Sequence, residues 1–516
     1  MSTTISDTNN MATTTDTTTD TTAAQVVVTN SSLETLIEQY FLLMSAFQWD
    51  KAKELVDKHR DQLRQQYRQQ PQQQYSLLAA LSQLALADRN YTHLQFLTQK
   101  GLFRKDIVKG LYELLKCEFE RLEQRVYAIQ SLATNEDNNS VSLMGSSYSS
   151  NSSTILSIAS SLSSVLMTTS SSPSIETTTN KSSSDVLDRL IAHICGQLND
   201  YVRARLLMID IYEKIVVISG NKFCLFHECI NSLNDIIKLN ANCFHHPILM
   251  PIKISFNTEC HIVLSLLMAN QSIQDLIFID SLFYLQQSQT KLQTWSQQTF
   301  NKELPSQRRN STFKGWPPSP PPLYQWMSRL KSSLISKYSL YFFNTLSTQM
   351  SDNCPNDLKT VCSKQMVDYI NKLIAFHGKT DAHMICLVYD ITGDNCYTGF
   401  GYHSIYKAFK TPKGIDSFPV MFSYPSDIPK TLFPSIIMII NNKIKELNAT
   451  DSVVSLYDSH LNYTYFLIRP DPRVTIITIF SMRKSEKDNY IISFLLDLCL
   501  QLKGYKAFAS LKPGVK

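Results

Sequence analysis

Glycine is scarce in this 516-residue sequence, which contains only 13. There is no G-x-x-x-x-G-K-[ST] phosphate-binding loop, so the chain is not a P-loop nucleotidase. Gly399-Phe400-Gly401 lacks the further glycine and the opening helix of a dinucleotide-binding turn, and we interpret it as a loop. Neither a G-x-S-x-G nucleophile elbow nor an H-E-x-x-H zinc motif occurs, so we expect no cofactor and no metal.

Paired cysteines and long apolar runs are also missing. The 11 cysteines are scattered, odd in number and never spaced C-x-x-C, which indicates reduced thiols in the cytosol. No window approaches the ~18 apolar residues of a membrane-spanning helix, and no signal peptide is recognisable. Ser2 stands where myristoylation requires glycine, and Gly514-Val515-Lys516 lacks a prenylation cysteine. We therefore expect a cytoplasmic protein that reaches membranes only through partners.

Neither sign of charge dominates the sequence. The net charge of +5 arises from 49 basic and 44 acidic residues without a long run of either, so we expect no nucleic-acid binding. The chain is too long for one typical core, and its 43% hydrophobic content supports two or three packed units.

Composition and periodicity divide the chain into unlike segments. Residues 1–30 hold 14 Ser or Thr, which predicts a disordered tail. Residues 31–350 show helical spacing of apolar side chains and predict an all-α bundle. Its interruptions are a disordered insertion at 131–184, with 28 Ser or Thr in 54 positions, and a Pro-rich loop at 301–322. Residues 355–516 predict an α/β domain with an antiparallel sheet, so the fold class is α+β with two domains.

The element order of the second domain is informative. We predict helices near 358–377, 433–446 and 487–503, and strands near 384–389, 397–401, 419–423, 452–457, 463–469 and 473–480. This order resembles that of the roadblock and longin group of small α/β domains. In the bundle we predict helices near 33–44, 50–56, 76–87, 103–115, 186–217, 222–240, 248–269, 272–298 and 323–346.

Three short blocks carry a more specific resemblance. They are Phe244-His245-His246-Pro247-Ile248-Leu249, Thr290-Lys291-Leu292-Gln293-Thr294-Trp295 and Phe508-Ala509-Ser510-Leu511-Lys512-Pro513-Gly514. Gly401-Tyr402-His403 and Arg469-Pro470 stand between them in the same order. Together the blocks resemble the family of small subunits of the KICSTOR complex, over roughly residues 33–130 and 185–516. Further matches are Asp50-Lys51-Ala52-Lys53, Ser76-Leu77-Leu78-Ala79-Ala80-Leu81, Pro412-Lys413-Gly414, Thr464-Tyr465-Phe466-Leu467 and Lys484-Ser485-Glu486.

The resemblance implies a non-enzymatic scaffold subunit. Its expected partners are a very large scaffold subunit, β-propeller subunits including kaptin, and the GATOR complex, with Rag GTPases reached indirectly. The assembly acts at the lysosomal membrane and restrains TOR signalling when nutrients fall. Residues in the blocks are candidates for partner contact or for defining the fold: Phe244, His245, His246, Pro247, Thr290, Lys291, Leu292, Trp295, Gly401, Tyr402, His403, Arg469, Pro470, Lys512 and Pro513.

Two alternatives to this function stay open. The second domain could bind small GTPases directly as a roadblock-like platform. It could instead be a hydrolase in which Asp390, Asp394, His403 and Asp416 converge, although four polar loop residues beside a sheet are expected in any case.

Histidine, proline and serine provide further candidates. Adjacent His245 and His246 have no third ligand at a metal-like spacing, so we predict a capping role before Pro247. Trp316, in the Pro-rich loop, is either a docking element for an aromatic groove or part of a spacer. Ser311 follows two arginines and is a candidate phosphorylation site.

Two short segments near the C-terminus have predicted structural roles. Arg469-Pro470-Asp471-Pro472 should form a rigid hairpin connection, because proline cannot donate to a strand ladder. The last block should pack back on the protein through Phe508 and Leu511, leaving Lys512 and Lys516 exposed.

Overall fold

The structure is a computed structural model, and it describes residues 21–66, 72–98, 106–139, 179–299, 320–349, 357–392, 412–449 and 451–512. Helices form the N-terminal part, and a five-stranded antiparallel sheet with flanking helices follows. The α+β class is therefore confirmed.

The N-terminal helices follow the predicted apolar periodicity. They are α1 (Thr21–Ser45), α2 (Trp49–Gln66), α3 (Gln72–Thr92), α4 (Ile107–Asn139), α5 (Thr179–Ile218), α6 (His227–Leu239), α7 (Met250–Gln274), α8 (Phe278–Thr299), α9 (Pro322–Tyr341) and α10 (Phe343–Gln349). Their buried side chains include Tyr40, Leu81, Phe119, Leu198 and Leu266. Consecutive helices pack mainly on one another, with α4 on α5 and α7 on α8.

Helices, strands and one further helical turn make up the C-terminal part. The helices are α11 (Asp357–Ser363), α12 (Tyr369–Lys379), α13 (Phe433–Ala449), α14 (Asn489–Leu502) and α15 (Tyr505–Ala509). The strands are β1 (Ala382–Tyr389), β2 (Val420–Tyr424), β3 (Val454–Asp458), β4 (Tyr463–Asp471) and β5 (Val474–Phe480), in the sheet order β2-β1-β5-β4-β3. Neighbouring strands of this sheet pair antiparallel.

Strand alternation gives the sheet two apolar faces. On β1, Leu387 belongs to the face that continues into the bundle core, whereas Cys386 belongs to the face covered by α13. Helices α12, α14 and α9 contact the first face. One apolar core therefore extends without a break from α1 to the residue Leu511 near the C-terminus.

Several predicted boundaries are wrong. Helix α1 begins at Thr21, so residues 21–30, predicted to be disordered, are helical, because the segment contains no glycine or proline that would stop a helix before Ser31. The helix predicted at 358–377 is two helices, because Asp368 accepts a hydrogen bond from the backbone of Asn371 and caps a new one. The helix predicted to start at 272 starts at Phe278.

Other predicted segments lie wholly or partly outside the described residues. The insertion predicted at 131–184 is described only where α4 extends to Asn139 and α5 begins at Thr179. The strand predicted at 397–401, and Trp316 and Ser311 with most of the Pro-rich loop, lie outside the described ranges. Those predictions stay predictions.

One helical segment has the length and hydropathy of a membrane span. It covers Pro247–Gln274, 28 residues, so the expectation that no segment approaches a membrane span is wrong by length and hydropathy. In the structure 67% of its most apolar window is buried inside the bundle, which is the environment of a core helix.

Candidate functional site

The Phe244–Leu249 block forms the connection into α7. Phe244 has a positive φ of 34° and is fully buried, with its ring at 5.6 Å from the rings of both Tyr201 and Phe256. A left-handed backbone is costly for a large residue. Burial of the aromatic ring offsets this cost, so Phe244 fixes the path of the chain into α7.

Of the two histidines of this block, His246 has the predicted capping role. The Nδ1 atom of His246 accepts a hydrogen bond from the backbone of Ile248 at 3.3 Å, and its backbone N–H donates to Gln197 at 2.8 Å. Burial, followed by the charge of His193, lowers the pKa of His246, which favours the neutral ring that can accept this bond. His245 is exposed and bonds only the carbonyl of Asn242.

A large polar cluster lies inside the helical bundle. Arg205 on α5 contacts Glu259 on α7 by a short hydrogen bond, and its Nε lies 3.8 Å from the carboxylate of Asp88 on α3. All three side chains are at most 6% exposed. Four tyrosine hydroxyls complete the cluster by donating to these carboxylates: Tyr112 and Tyr201 to Asp88, and Tyr91 and Tyr212 to Glu259.

The geometry of this cluster fits a structural role. Burial raises the pKa of the carboxyl of Asp88, and the charge of Arg205 opposes that shift. The adjacent cavity, between Trp49 and Ser255, has a volume of about 10 Å³, which is room for one water at most. This cavity is too small for a substrate. The hydrogen bonds and ion pairs of the cluster link α3, α4, α5 and α7.

A second buried cluster joins the bundle to the sheet. Asp471, at the end of β4, is 1% exposed and accepts hydrogen bonds from Gln274 on α7 at 2.9 Å and from Tyr341 on α9. The Nζ atom of Lys337 on α9 lies 2.7 Å from the same carboxylate without hydrogen-bond alignment, so the contact is ionic. Burial, and then the charge of Asp471, raises the pKa of Tyr341.

Arg469 and Pro470 belong to strand β4 rather than to the hairpin turn. The predicted connection exists, but the turn itself is Pro472-Arg473, and the register shift between Ile468 and Asp471 accommodates Pro470 as a bulge. Arg469 is buried, and its Nη1 donates to Asn448 and to the carbonyl of Pro472, both at 3.0 Å. It therefore fastens the hairpin to the end of α13.

The last sequence block packs back on the bundle as predicted. Phe508 is buried, with its ring 5.2 Å from that of Phe226, and Leu511 is fully buried. Lys512 is exposed, whereas Pro513 and Lys516 lie outside the described residues. Phe508 therefore provides a further contact between the C-terminal part and the helical bundle.

The α8 block also contributes to packing. Trp295 is 4% exposed and lies 5.3 Å from the ring of Phe47, and the hydroxyl of Tyr324 donates to the carbonyl of Leu292 at 3.1 Å. Thr290 is exposed and Lys291 half-buried, and both face outward beside this contact.

Only two of the four residues of the hydrolase alternative, Asp390 and Asp416, lie in the part of the chain that is described, so that alternative stays a prediction. Asp390 is 9% exposed and bonds the backbone and hydroxyl of Thr392, with Arg469 at 3.8 Å. Asp416 is exposed on a short 3-10 turn. Asp394 and the Gly401-Tyr402-His403 block lie outside the described ranges, which also hold no group of three metal-ligating side chains.

Sequence reasoning missed the two buried clusters. A signal was present, because Asp88, Arg205 and Glu259 each occupy an apolar-facing position of a helix that is otherwise well patterned. A charged residue at such a position requires a buried partner of opposite charge.

The fold and these sites define an α+β protein in which buried ion pairs link helices to one another and to the sheet. Comparison with known proteins gives the family. The family model described as "KICSTOR complex C12orf66 like" matches residues 28–144 and 139–516. KICSTOR subunit 2 of Danio rerio is 33% identical over 490 residues, covering 93% of this chain and 96% of the relative.

KICSTOR subunit 2 of Xenopus laevis is similar to the same extent, with 32% identity over 491 residues that cover 94% of this chain and 97% of the relative. The chain belongs to the KICSTOR C12orf66-like family. The resemblance seen in the sequence blocks is therefore confirmed.

Proposed function

We propose that this chain is a non-catalytic scaffold subunit of a KICSTOR-like complex. In this role it tethers the GATOR complex, which activates GTP hydrolysis by Rag GTPases, to the lysosome. It thereby negatively regulates TOR signalling on amino-acid or glucose starvation. The observation that carries the proposal is the family match, which extends over nearly the whole chain to relatives named as subunits of that complex.

The buried clusters support a role in binding rather than in catalysis. The charge of Arg205 is compensated by Glu259 and Asp88, and the charge of Asp471 is compensated by Lys337. Such clusters hold surfaces in a fixed relation, and a tether needs fixed surfaces to raise the effective concentration of its partners.

The proposed partners follow from the same assignment. They are the large KICSTOR scaffold subunit, β-propeller subunits including kaptin, and the GATOR complex, with Rag GTPases bound indirectly. The proposed location is the cytoplasm with recruitment to the lysosomal surface. Membrane contact would be made by partners, since the apolar α7 is used in the core.

Element order favours a second candidate function, direct binding of small GTPases. From α12 to α14 the described residues, which leave out 393–411, form a helix, two strands, a helix, three strands and a helix in that order. The resemblance to roadblock and longin domains depends on the order helix, two or three strands, helix, three strands, helix, and such domains commonly dock on small GTPases. A roadblock-like assignment for residues 355–516 is part of this proposal.

Affinity purification separates the two candidates. The tagged full chain is recovered from its own cells, with residues 140–178 present or deleted, and co-purifying proteins are identified by mass spectrometry. Recovery of a giant scaffold subunit, a β-propeller protein and GATOR components supports the tethering role. Recovery of Rag-type GTPases without other subunits favours the platform, and recovery of none of these contradicts both.

A further inference from the structure

A polar groove runs between α4 and α5 at the surface of the bundle. It has a volume of about 480 Å³. Apart from Gly196, the described residues that line it all have polar side chains, among them Glu123, Asn199 and Asp200. Small-molecule pockets are lined mostly by apolar and aromatic side chains, so this groove does not have the character of one. We call it the α4–α5 groove.

The groove contains more carboxylates than cations. Glu120 pairs with Arg203 at 3.0 Å and accepts a hydrogen bond from Nδ2 of Asn199 at 3.2 Å. Glu123 and Asp200 form no hydrogen bond or salt bridge with a described residue. Burial raises the pKa of Glu123, and the charges of Asp200 and Glu120 raise it further, with the charge of Arg203 opposing them. One arginine therefore faces three carboxylates, two of which are unpaired.

Gly196 makes room for the carboxylate of Glu123. A Cβ atom at Gly196 would lie 2.8 Å from Oε1 of Glu123, which is too close for a real contact. Glycine inside a helix is less stable than alanine, because it loses more backbone entropy on folding. A residue that weakens α5 therefore admits an unpaired carboxylate into the groove. Neither feature stabilises the isolated chain, and a ligand explains both.

Asn199 provides an independent sign of a ligand. The residue is 5% exposed and lines the same groove, and its Oδ1 atom accepts no hydrogen bond within the described residues. Buried polar atoms in native proteins nearly always have a hydrogen-bond partner. Within the described residues, the groove therefore offers neither a cation for its two unpaired carboxylates nor a donor for this amide oxygen.

A basic side chain supplies both. Lysine and arginine carry several N–H donors together with the positive charge, and one such side chain fits a volume of about 480 Å³. A metal ion is a poorer match, because the described residues contain no group of three histidine, cysteine, aspartate or glutamate side chains placed to hold one.

The undescribed segments next to the groove do not supply the cation. Residues 126–178, which separate the groove residues of α4 from those of α5 in the sequence, contain neither lysine nor arginine, and residues 1–20 contain none. Residues 99–105 join the start of α4, about 20 Å along the helix from Glu120. Arg308-Arg309 stands between α8 and α9. Helix α8 packs chiefly on α7 and α9, whereas α4 packs chiefly on α3 and α5, so that connection starts on another side of the bundle.

A second copy of the chain is also a poor occupant. In a two-fold contact the same patch faces itself, so Glu123 and Asp200 would meet the same carboxylates of the other copy. Like charges in apposition disfavour such a contact. The groove therefore suits a different subunit that presents a basic side chain.

We propose that the α4–α5 groove binds a basic side chain of another subunit, whose N–H groups donate to Glu123, Asp200 and the amide oxygen of Asn199. This inference rests on the proposed function, because it assigns a contact to one of the expected subunits. A charge pair enclosed in a groove fixes the register of a complex and slows its dissociation. The groove thus determines which surface of this chain that subunit meets.

The test removes charge from the groove without changing its shape. Glu123→Gln and Asp200→Asn replace each carboxylate by an amide of the same size. The matched control is Glu113→Gln, on α4 outside the groove, where the carboxylate is 58% exposed and lies 3.8 Å from Lys116. Each tagged full-length variant is purified from its own cells, and each recovered subunit is identified and quantified by mass spectrometry relative to wild type. Thermal melting of the isolated chain checks folding.

We expect Glu123→Gln and Asp200→Asn to lower recovery of one subunit at least tenfold, whereas Glu113→Gln retains it. The two groove variants should keep or raise the melting temperature of the isolated chain, because they remove repulsion between neighbouring carboxylates. Weaker binding by a chain that is no less stable is a result that a purely structural role for these carboxylates does not give.

Other results overturn the inference in distinguishable ways. If wild type recovers its subunits and both groove variants recover them equally, the docking assignment fails and the proposed function stands. If recovery falls only together with the melting temperature, the carboxylates are structural. If wild type recovers no subunit, the proposed function fails and the docking assignment fails with it.

Three measurements on the isolated chain identify a different occupant, and each positive result overturns the inference. A dimer by light scattering that Glu123→Gln dissociates means a second copy. A melting temperature that calcium chloride raises in the wild type but not in Glu123→Gln means a metal ion. A melting temperature that Arg308→Gln with Arg309→Gln lowers, but not when Glu123→Gln is also present, means the chain's own segment 300–319.

Discussion

Arg205 is surrounded by groups that compensate its charge. The guanidinium lies 4.5 Å from the ring centre of Tyr91 and 5.2 Å from that of Tyr201, in addition to its contacts with Glu259 and Asp88. Cation–π contacts and ion pairs of this kind gain strength away from water. A buried ion pair adds little net stability compared with an apolar core, but loss of one partner is costly.

Substitution of Arg205 should therefore be strongly destabilising. We expect Arg205→Met to lower the free energy of unfolding by about 3–5 kcal/mol, because Glu259 and Asp88 lose their buried cation. Chemical denaturation followed by circular dichroism measures the change. The control is Arg121→Met, which removes an exposed pair with Glu118 and should cost no more than about 1 kcal/mol. Equal effects of the two variants would contradict a special role for the cluster.

His246 should make the connection into α7 sensitive to pH. Its pKa is lowered in the folded state, so the unfolded chain binds the proton more readily and stability is lost as pH falls below about 6.5. A protonated ring cannot accept the hydrogen bond from Ile248. As the pH is lowered from 7 to 5 we expect the protection factor of the Ile248 amide, which is the intrinsic exchange rate divided by the observed rate, to fall. The charged and ionisable groups that face His246 are His193, His245 and Glu34.

Two substitutions separate this effect from general acid sensitivity. His246→Asn keeps a capping acceptor that does not titrate near neutral pH. The protection factor of the Ile248 amide should therefore no longer fall as the pH is lowered from 7 to 5. His245→Asn should leave the fall in protection in place, because the exposed ring of His245 donates to the carbonyl of Asn242 rather than bonding the Ile248 amide. Retention of the effect in His246→Asn would contradict the assignment.

The residue roles that sequence could predict were local. The capping by His246 depends on neighbours in the chain, and it is confirmed. The partners of Arg205 lie 54 and 117 positions away, on α7 and α3, so helix periodicity alone could not pair them. A long-range contact requires the packing arrangement, which a single sequence does not contain.

At the scale of elements, the ends of helices and strands decide how the sheet joins the bundle. Strand β4 stays in the sheet through Asp471, despite the bulge at Pro470, and this places the carboxylate against α7 and α9. The strand prediction ended at residue 469, because Arg469-Pro470 indicated a turn. Proline has no backbone N–H to donate to the strand ladder, but a bulged residue is unpaired and needs none. The strand therefore continues further than the sequence pattern predicted.

Removal of the charge of Asp471 should loosen this junction. In Asp471→Asn the single amide oxygen can replace only one of the two carboxylate oxygens that accept from Gln274 and Tyr341, and Lys337 is left as an uncompensated buried cation. We expect a loss of about 3 kcal/mol or more in the free energy of unfolding, measured by chemical denaturation. Adding Lys337→Met should recover part of that loss, because it removes the unpaired charge.

The matched control for this junction is Asp497→Asn. Asp497 pairs with Lys372 at 3.2 Å near the surface, with half of its side chain exposed. Loss of such a pair should cost no more than about 1 kcal/mol. If Asp471→Asn were as mild as the control, or if Lys337→Met failed to improve it, the ionic contact would not be what holds the sheet to the bundle.

At the scale of the whole molecule, the sheet and the bundle share their apolar core. Helix α9 contacts both α7 and strand β2, and α15 contacts α5 and α9. Asp451, beside α13, pairs with Lys222 after α5 and with Lys503 after α14. Composition and periodicity indicated where helices give way to strands, but they carry no information on how much apolar surface the two parts bury against each other.

The shared core predicts that residues 355–516 fold poorly alone. Without the bundle, the face of the sheet and helices that includes Phe508, Leu511 and Leu387 would lose its cover, and Asp471 would lose Lys337. We expect this fragment to bind a hydrophobic dye and aggregate in size-exclusion chromatography, whereas co-expression with residues 21–349 should give a soluble one-to-one complex. A monodisperse fragment with a cooperative melt would instead mean that the junction is a docking surface between independent domains. In that case partners could change the relation of the two parts, whereas a shared core holds their binding surfaces in one arrangement, as a tether requires.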